Sequence, residues 1–232
     1  MQRTLRNPAY ETIERLDGVM PASQARSRDA RDRLLKAGER VFARMGYDNA
    51  HVSDIAEAAG CSIGSFYRRF RDKEAFFRAL HHRFTSRYRD NTRRFFELPQ
   101  WNGKPSSLVI ETFIANTAEI MKRNQGFFRA LIERTLAGAG EDYWPQMRKA
   151  GEQQGRALAA FLEERGEARG PRLALEATLA LRVAEGALLH RLIGVGAMAN
   201  DAQLVSGLTR MVLRLLRLED RPARGKRRSN LS

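Results

Sequence analysis

Soft and nucleophilic side chains are scarce in this chain, with one cysteine, Cys61, and four histidines among 232 residues. A single thiol excludes an intramolecular disulfide and points to a reducing interior, so a cytoplasmic location is expected. His81 and His82 are neighbours on a predicted helix and diverge, while His51 and His190 stand apart. None has the three- or four-residue spacing of a helical metal pair. A glycine-rich phosphate loop and a local Ser/His/Asp pattern are also missing, so neither catalysis nor a metal or other cofactor is expected. Long apolar runs are lacking too. The most apolar stretch, 177–199, is interrupted by Arg182, Glu185, His190 and Arg191, and does not read as a membrane span. Arg3 and Arg6 have no apolar run behind them, so no secretory signal is read. Strand-like alternation and internal repeats are absent, which leaves an all-α chain.

What is present is positive charge, and it is unevenly placed. Residues 1–98 carry a net +7, residues 99–218 a net +4 over a longer span, and residues 219–232 a net +3. A polyanionic partner fits this distribution, and so does a plain solvated basic surface.

The helical pattern divides the chain into four parts. Residues 1–26 read as a basic, flexible arm containing Arg3, Arg6, Arg15 and Arg26, with Arg28 just beyond it. Such arginines are placed either to reach a neighbouring minor groove or simply to be solvated. Residues 27–71 read as three helices. The first carries Leu34, Ala37, Val41 and Phe42 on one stripe and stops at Gly46. The second runs from about Val52 to Ala59, Gly60 supplies a sharp turn, and Ser62 caps the third. From 72 to 218 a long fourth helix, capped by Asp72 and ending near Pro99, leads into a larger helical half. Its spans are predicted at 105–122, 125–138, 142–165, 171–196 and 201–218. Residues 219–232 form a basic tail, for which solvation is the simpler reading.

The helix predicted over 171–196 is apolar on nearly every side, leaving only a thin stripe of Thr178, Arg182 and Glu185. A helix of that kind must be covered on several faces. Together with the helix over 201–218, it is expected to pair with a second copy as a four-helix bundle, making a homodimer.

Two short helices across a tight turn, the second with hydroxyl, aromatic and arginine side chains at its exposed end, describe a helix-turn-helix that seats one helix in the major groove of double-stranded DNA. Phe66 and Phe70 lie four apart and can pack beneath the module, so Tyr67 points off the core face towards a phosphate oxygen. Ser62, Ile63, Gly64 and Ser65 form the leading end. Gly64 permits close backbone approach, Ser65 can bond a base edge or phosphate, and Ile63 suits a thymine methyl. Arg68 is the best long donor for a guanine edge or a phosphate, with Arg69 second. Ser53 can contact the backbone, and Asp54 stabilises its own helix N-terminus. Lys73, opening the fourth helix, can clamp a phosphate.

The residues Val41-Phe42, Gly46-Tyr47, Asp54-Ile55-Ala56, Ala59-Gly60, Ser62, Gly64, Phe66-Tyr67, Phe70 and Lys73-Glu74 together resemble the N-terminal domain of TetR-family transcriptional regulators. The resemblance covers roughly 28–84. This chain departs from the family pattern at Gly38, Ala50-His51, Cys61 and Arg69. The resemblance implies an all-α dimer that represses transcription and leaves its operator when a small effector binds. By the same resemblance, Trp101, Phe113, Met121, Phe127, Phe128, Tyr143, Trp144 and Met147 are candidate walls of an effector pocket. Few charges accompany them, so an apolar or amphipathic effector is expected, with Glu111, Asn116, Glu119 and Arg134 available to orient it. A DNA-binding dimer whose larger half is only an oligomerisation or docking platform is the alternative.

Overall fold

A computed structural model describes residues 13–21, 25–192, 194 and 200–218. Helix α1, Ala25–Met45, buries the stripe of Leu34, Ala37, Val41 and Phe42, and ends as the Gly46 amide returns to the Phe42 carbonyl (3.0 Å). Gly38 lies where the Phe76 ring crosses; a Cβ there would stand 2.4 Å from that ring. The helix-propensity cost of about 1 kcal/mol at this glycine therefore accompanies a close helix crossing. Helix α2 is Val52–Ala58, and α3 is Ile63–Tyr67. Ser62 caps α3 by accepting the Ser65 amide (3.2 Å), while Asp72 caps the long α4, Lys73–Phe96, by accepting that of Ala75 (2.7 Å).

The remaining helices are α5 (Ser106–Arg123), α6 (Gln125–Arg134), α7 (Gly140–Glu164), α8 (Leu173–Leu192) and α9 (Asp201–Leu215). They match the predicted spans closely. The difference is at 135–139, where a widened helical turn containing Gly138 at φ +97° breaks the helix predicted over 125–138. Among the described residues the regular structure is helical, apart from one isolated β-bridge.

That bridge overturns one expectation. The described part of the supposed flexible arm, residues 13–21, is packed against the protein. Ile13 and Val19 are buried, and Val19 pairs antiparallel with Phe70. The Met20 amide donates to the Arg69 carbonyl and the Arg71 amide to that of Gly18, both at 2.8 Å. Gly18 sits at φ +77°, with a Cβ position only 2.7 Å from that of Ala75, so backbone conformation and space both call for glycine. Sequence periodicity misses such a segment because it is neither helix nor ladder. Arg3, Arg6 and the tail 219–232 lie outside the described residues.

Two apolar cores are formed. The first joins α1–α4 with Phe127, Ala130 and Leu131 of α6 and Tyr143 of α7. It therefore crosses the sequence boundary expected at 71/72. The second fills the larger half, from Phe96, Trp101 and Phe113 at one end to Leu181, Leu188 and Val212 at the other. Gly126 makes the tightest joint between the halves. A Cβ there would lie 2.2 Å from the Phe42 carbonyl oxygen and 2.3 Å from that of Ala43. The N-terminus of α6 thus rests directly on the backbone at the end of α1.

Candidate nucleic-acid interface

Helix α3 is held from below by rings. Phe66 and Phe70 are fully buried and meet Phe76 of α4 at centroid distances of 5.1 and 4.9 Å, in tilted and edge-on contacts. Aromatic packing of this kind fixes orientation as well as burying area. With those rings inside, helical geometry turns Ile63, Gly64, Tyr67 and Arg68 outward, and all four are exposed. Ile63 and Tyr67 are 48% and 51% exposed, side by side on the outer face of α3. Ser62 and Ser53 are exposed on the same module. The Asp54 carboxylate accepts the His51 amide (2.8 Å), closing the front of α2 although His51 is a poor cap.

Three expected DNA contacts are placed otherwise. Ser65 is buried. Arg69 folds over it, donating to the Ser65 carbonyl (2.6 Å), the Ser65 hydroxyl (2.9 Å) and the Ser27 carbonyl (3.3 Å). Burial lowers the pKa of this guanidinium, with the neighbouring Arg68 adding to the effect. Arg69 thus ties α3 to the start of α1 instead of projecting from it. The Lys73 ammonium donates to the Tyr47 and Ala50 carbonyls (3.0 and 3.1 Å) and lies 4.3 Å from the centre of the Tyr47 ring. It caps the chain that leads into α2, and burial lowers its pKa. Its phosphate role would have to be carried by its remaining hydrogen. All three side chains are engaged within the protein in this structure.

A polar knot underlies the module. The Glu74 carboxylate receives the Tyr47 hydroxyl (2.7 Å), the Tyr143 hydroxyl (2.6 Å) and the Arg134 guanidinium (2.7 Å). Burial and the adjoining carboxylate raise both tyrosine pKa values, keeping both phenols protonated as donors. Arg134 also lies 4.8 Å from the Tyr47 ring centre. The α1–α2 connection, α4, α6 and α7 therefore meet at one charge. The N-terminal segment adds a second restraint: Asp17 pairs with Arg71 (2.9 Å) and Glu14 with the buried Arg31 (2.9 Å). Residues 13–21 and the Glu74 knot are what residue-type reasoning missed. Only the Lys-Glu pair in the sequence hinted at the knot, and nothing hinted at the segment.

The candidate pocket residues are not brought together. Phe127 and Tyr143 belong to the first core, with Met147 packed against it and Phe128 packed against both cores. Trp101, Phe113 and Met121 belong to the second, and Trp144 is 55% exposed. Sequence spacing cannot separate these cases, since a ring at helical spacing serves either core. Glu119 pairs with Arg123 (2.6 Å) on the surface, and Arg134 is engaged by Glu74. Among the described residues, open grooves include one of about 390 Å³ between α4 and α7 and one of about 830 Å³ between α5, α8 and α9. Of the eight candidates, only Met121 lines either groove, in the larger one.

A short helix presented outward by a buried aromatic triad, after a tight turn from a second short helix, defines a helix-turn-helix head on a helical body. Residues 34–80 match the family described as bacterial regulatory proteins, tetR family. It is 37% identical over 95 residues to the helix-turn-helix transcriptional regulator YdgC of Bacillus subtilis, covering 41% of this chain and 42% of that protein. It is 44% identical over 50 residues to the transcriptional repressor Rv1474c of Mycobacterium tuberculosis, covering 22% and 27% respectively. The matched stretch is thus under half of each of these relatives. A TetR-family regulator from Mesorhizobium loti has the same fold, with a TM-score of 0.66 at 17% identity over 84% of this chain and 98% of the other. The family and these relatives are transcriptional regulators, not enzymes. No helix among the described residues is long and apolar enough to cross a membrane.

Proposed function

We propose that this chain is a homodimeric transcriptional repressor. Each subunit would place α3 in one of two successive major grooves, and a small amphipathic effector held in the helical body would release the pair from its operator. The observation that carries the dimer is the second apolar face of α8. Its buried face is apolar, with Leu173, Ala177, Ala180, Leu181, Ala184 and Leu188. Its outward stripe is apolar too: Leu175, Leu179 and Val183, at 69%, 55% and 45% exposure. A helix apolar on its outer face as well as its inner one makes sense when a second copy covers the outer face. Gly186 continues that stripe, and Gly207 lies on α9; a Cβ on either would meet nothing within 4 Å. A mid-helix glycine costs about 1 kcal/mol relative to alanine, and close approach of a partner helix accounts for keeping both.

Two α3 helices reading half-sites one turn apart need centres about 34–36 Å from one another. An effector that favours a different separation weakens binding by shifting the population. The contact of Gly126 with the end of α1 supports a body able to move the head as a unit. The distribution of the candidate aromatic residues between two cores favours a second reading, in which the body is only a platform.

The test is selection of bound fragments from random DNA by the full-length protein, followed by hydrodynamic mass measurement. The expected result is a palindrome bound by a dimer. Leu179→Glu combined with Val183→Glu should give a folded monomer that loses the palindrome. A double variant that stays dimeric and keeps operator affinity would overturn the interface. A broad metabolite panel that neither stabilises the protein nor releases the palindrome would leave the platform reading.

A further inference from the structure

The groove of about 390 Å³ between α4 and α7 gathers three guanidinium groups. Arg89 and Arg93 stand one turn apart on α4, and Arg156 lines the other wall, on α7. Among the described residues, none of the three makes a side-chain hydrogen bond or an ion pair within the protein. Nearer the head the arginines of α4 are engaged: Arg83 and Arg87 pair with Glu39 (3.4 and 3.1 Å), and Arg78 with Asp142 (3.6 Å). Burial lowers the pKa of His82, two turns before Arg89, and the Arg89 charge lowers it further. At the same end of the groove the Gln153 Oε1 is buried without a partner. A half-turn of that amide would put its N–H groups there instead.

The floor is apolar. Phe96 and Phe161 are buried with ring centres 5.5 Å apart, and the small side chains of Ala157 and Ala160 keep the space open. Three carboxylates share the rim. Asp90 adjoins Arg89 and offsets one cation, whereas Glu97 and Glu164 lie at the far end, one turn beyond Arg93 and two turns beyond Arg156. None of the three is ion-paired with these arginines. The groove thus has a cationic end and an anionic end, separated by about 9–12 Å at the helical rise per residue.

The geometry points to an amphipathic monoanion as the effector: a carboxylate set among Arg89, Arg93 and Arg156, with a short apolar body over Phe96 and Phe161. This rests on the ligand-responsive reading above; it gives the effector a place and a charge. The planar fork of arginine matches a carboxylate with two parallel hydrogen bonds. A cation is repelled at that end, and a neutral head leaves the guanidinium groups unmatched. A chain with a second carboxylate meets Glu97 and Glu164, and the volume of the groove admits only a small ligand. The two walls are already joined nearer the head, where the Thr85 hydroxyl lies 3.4 Å from Gln146 and Tyr143 donates to Glu74 (2.6 Å). Drawing Arg89 and Arg93 towards Arg156 closes the far parts of α4 and α7 about that joint. Helix α4 also carries Phe76, on which α3 rests, so the closure reaches the reading helix.

The experiment uses the full-length protein with phenylbutanoate, phenylbutanol, phenylbutylamine and octanedioate. Calorimetric affinity and release of the selected operator are both read. Phenylbutanoate is expected to bind and to release DNA, with the other three at least about ten-fold weaker. Arg93→Gln combined with Arg156→Gln should lose about ten-fold or more of the phenylbutanoate affinity. Lysine at both positions keeps the charge and should retain the preference for acid over alcohol. Glu97→Gln combined with Glu164→Gln should narrow the gap between octanedioate and phenylbutanoate. All four side chains are exposed, so these variants are expected to fold. Equal affinity for acid and alcohol, or an unchanged acid affinity in the double glutamine variant of the arginines, overturns the anion site. If phenylbutanoate binds through these arginines and the operator stays bound, the site stands and its role as effector site falls. If a neutral or cationic compound from a broad panel releases operator while phenylbutanoate does not bind, ligand response stands and the anion site falls. If neither these probes nor the panel has any effect, both fall.

Discussion

The head and the body of this protein hold themselves together by different means. In the head, Phe42, Phe66, Phe70, Phe76 and Phe77 interlock at centroid distances of 4.9–6.2 Å, and polar groups on the rim, from Lys73 to Glu74, are bound by named partners. In the body, rings are gathered in one cluster of Phe95, Phe96, Trp101, Phe113 and Phe161, and aliphatic side chains dominate the rest, from Leu173 to Val212. Its helices are drawn close by small residues: a Cβ on Gly155 would stand 1.9 Å from the Thr178 hydroxyl, and one on Gly151 2.8 Å from the Arg182 guanidinium. Rings with fixed mutual angles specify one arrangement, whereas aliphatic contacts between closely spaced helices tolerate sliding. A surface that must fit DNA is better built the first way, and a compartment that must change shape the second.

The sharpest way to break this contrast is to remove a ring. Phe76→Ala should destabilise the head by about 3–5 kcal/mol. Calorimetry should then show the head melting below the body, and a single unchanged transition would mean that the rings are not what fixes α3. Next comes Val19→Asp, which places a charge at the buried bridge to Phe70. A loss of about 2–3 kcal/mol is expected, together with a fall in the ratio of specific to non-specific DNA affinity. Stability lost without any change in that ratio would mean that residues 13–21 do not position α3.

Gly126→Ala tests the joint between the two regions. Its Cβ would press on backbone oxygen atoms that cannot rotate away, so a loss of about 1–3 kcal/mol is expected. Operator affinity should also become less responsive to effector. Arg68→Ala should weaken operator binding by about 1–3 kcal/mol and relax preference at one base pair. A uniform loss across sequences would assign Arg68 to a phosphate.

The smallest effect is that of pH on the body. Because burial raises the Glu185 carboxyl, the folded chain holds this proton more tightly than the unfolded chain. Its contribution to stability is present at and below the ordinary carboxylate range and is lost as pH rises through the raised value. The groups facing it are Tyr88 and Arg182, with Thr117 and Gln154 uncharged. Melting of Glu185→Gln should therefore vary less with pH than that of the parent. Parallel pH profiles would mean that this carboxyl does not change protonation over the range measured.

The same contrast explains what could be read from residues alone. The head was legible because its rules are local: Ser62 and Asp72 cap, Gly46 and Gly60 turn, and Phe66 and Phe70 four apart must face one side. The order of the body's helices followed from the same punctuation. Which way a side chain of the body faces depends on distant neighbours, and here local reading failed. Thr178, Arg182 and Glu185 read as one thin polar stripe, yet Arg182 is exposed while Glu185 is drawn to Tyr88 and Gln154 of other helices. Ser65, Arg69 and Lys73 read as free contacts, yet each is engaged by backbone or a neighbouring group from elsewhere in the head. Residues 13–21 follow no helical or strand period, and their place depends on Phe70, about fifty positions further along.

The head's core also contains Phe127 and Tyr143, which arrive late in the chain. During synthesis the reading surface thus remains unfinished until α6 and the start of α7 have emerged. A head cut away after α4 would expose Phe77 and leave the Glu74 carboxylate without Tyr143 and Arg134. Grafting this head onto a foreign body would accordingly require the recipient to provide a ring, a phenol and a guanidinium at matching places.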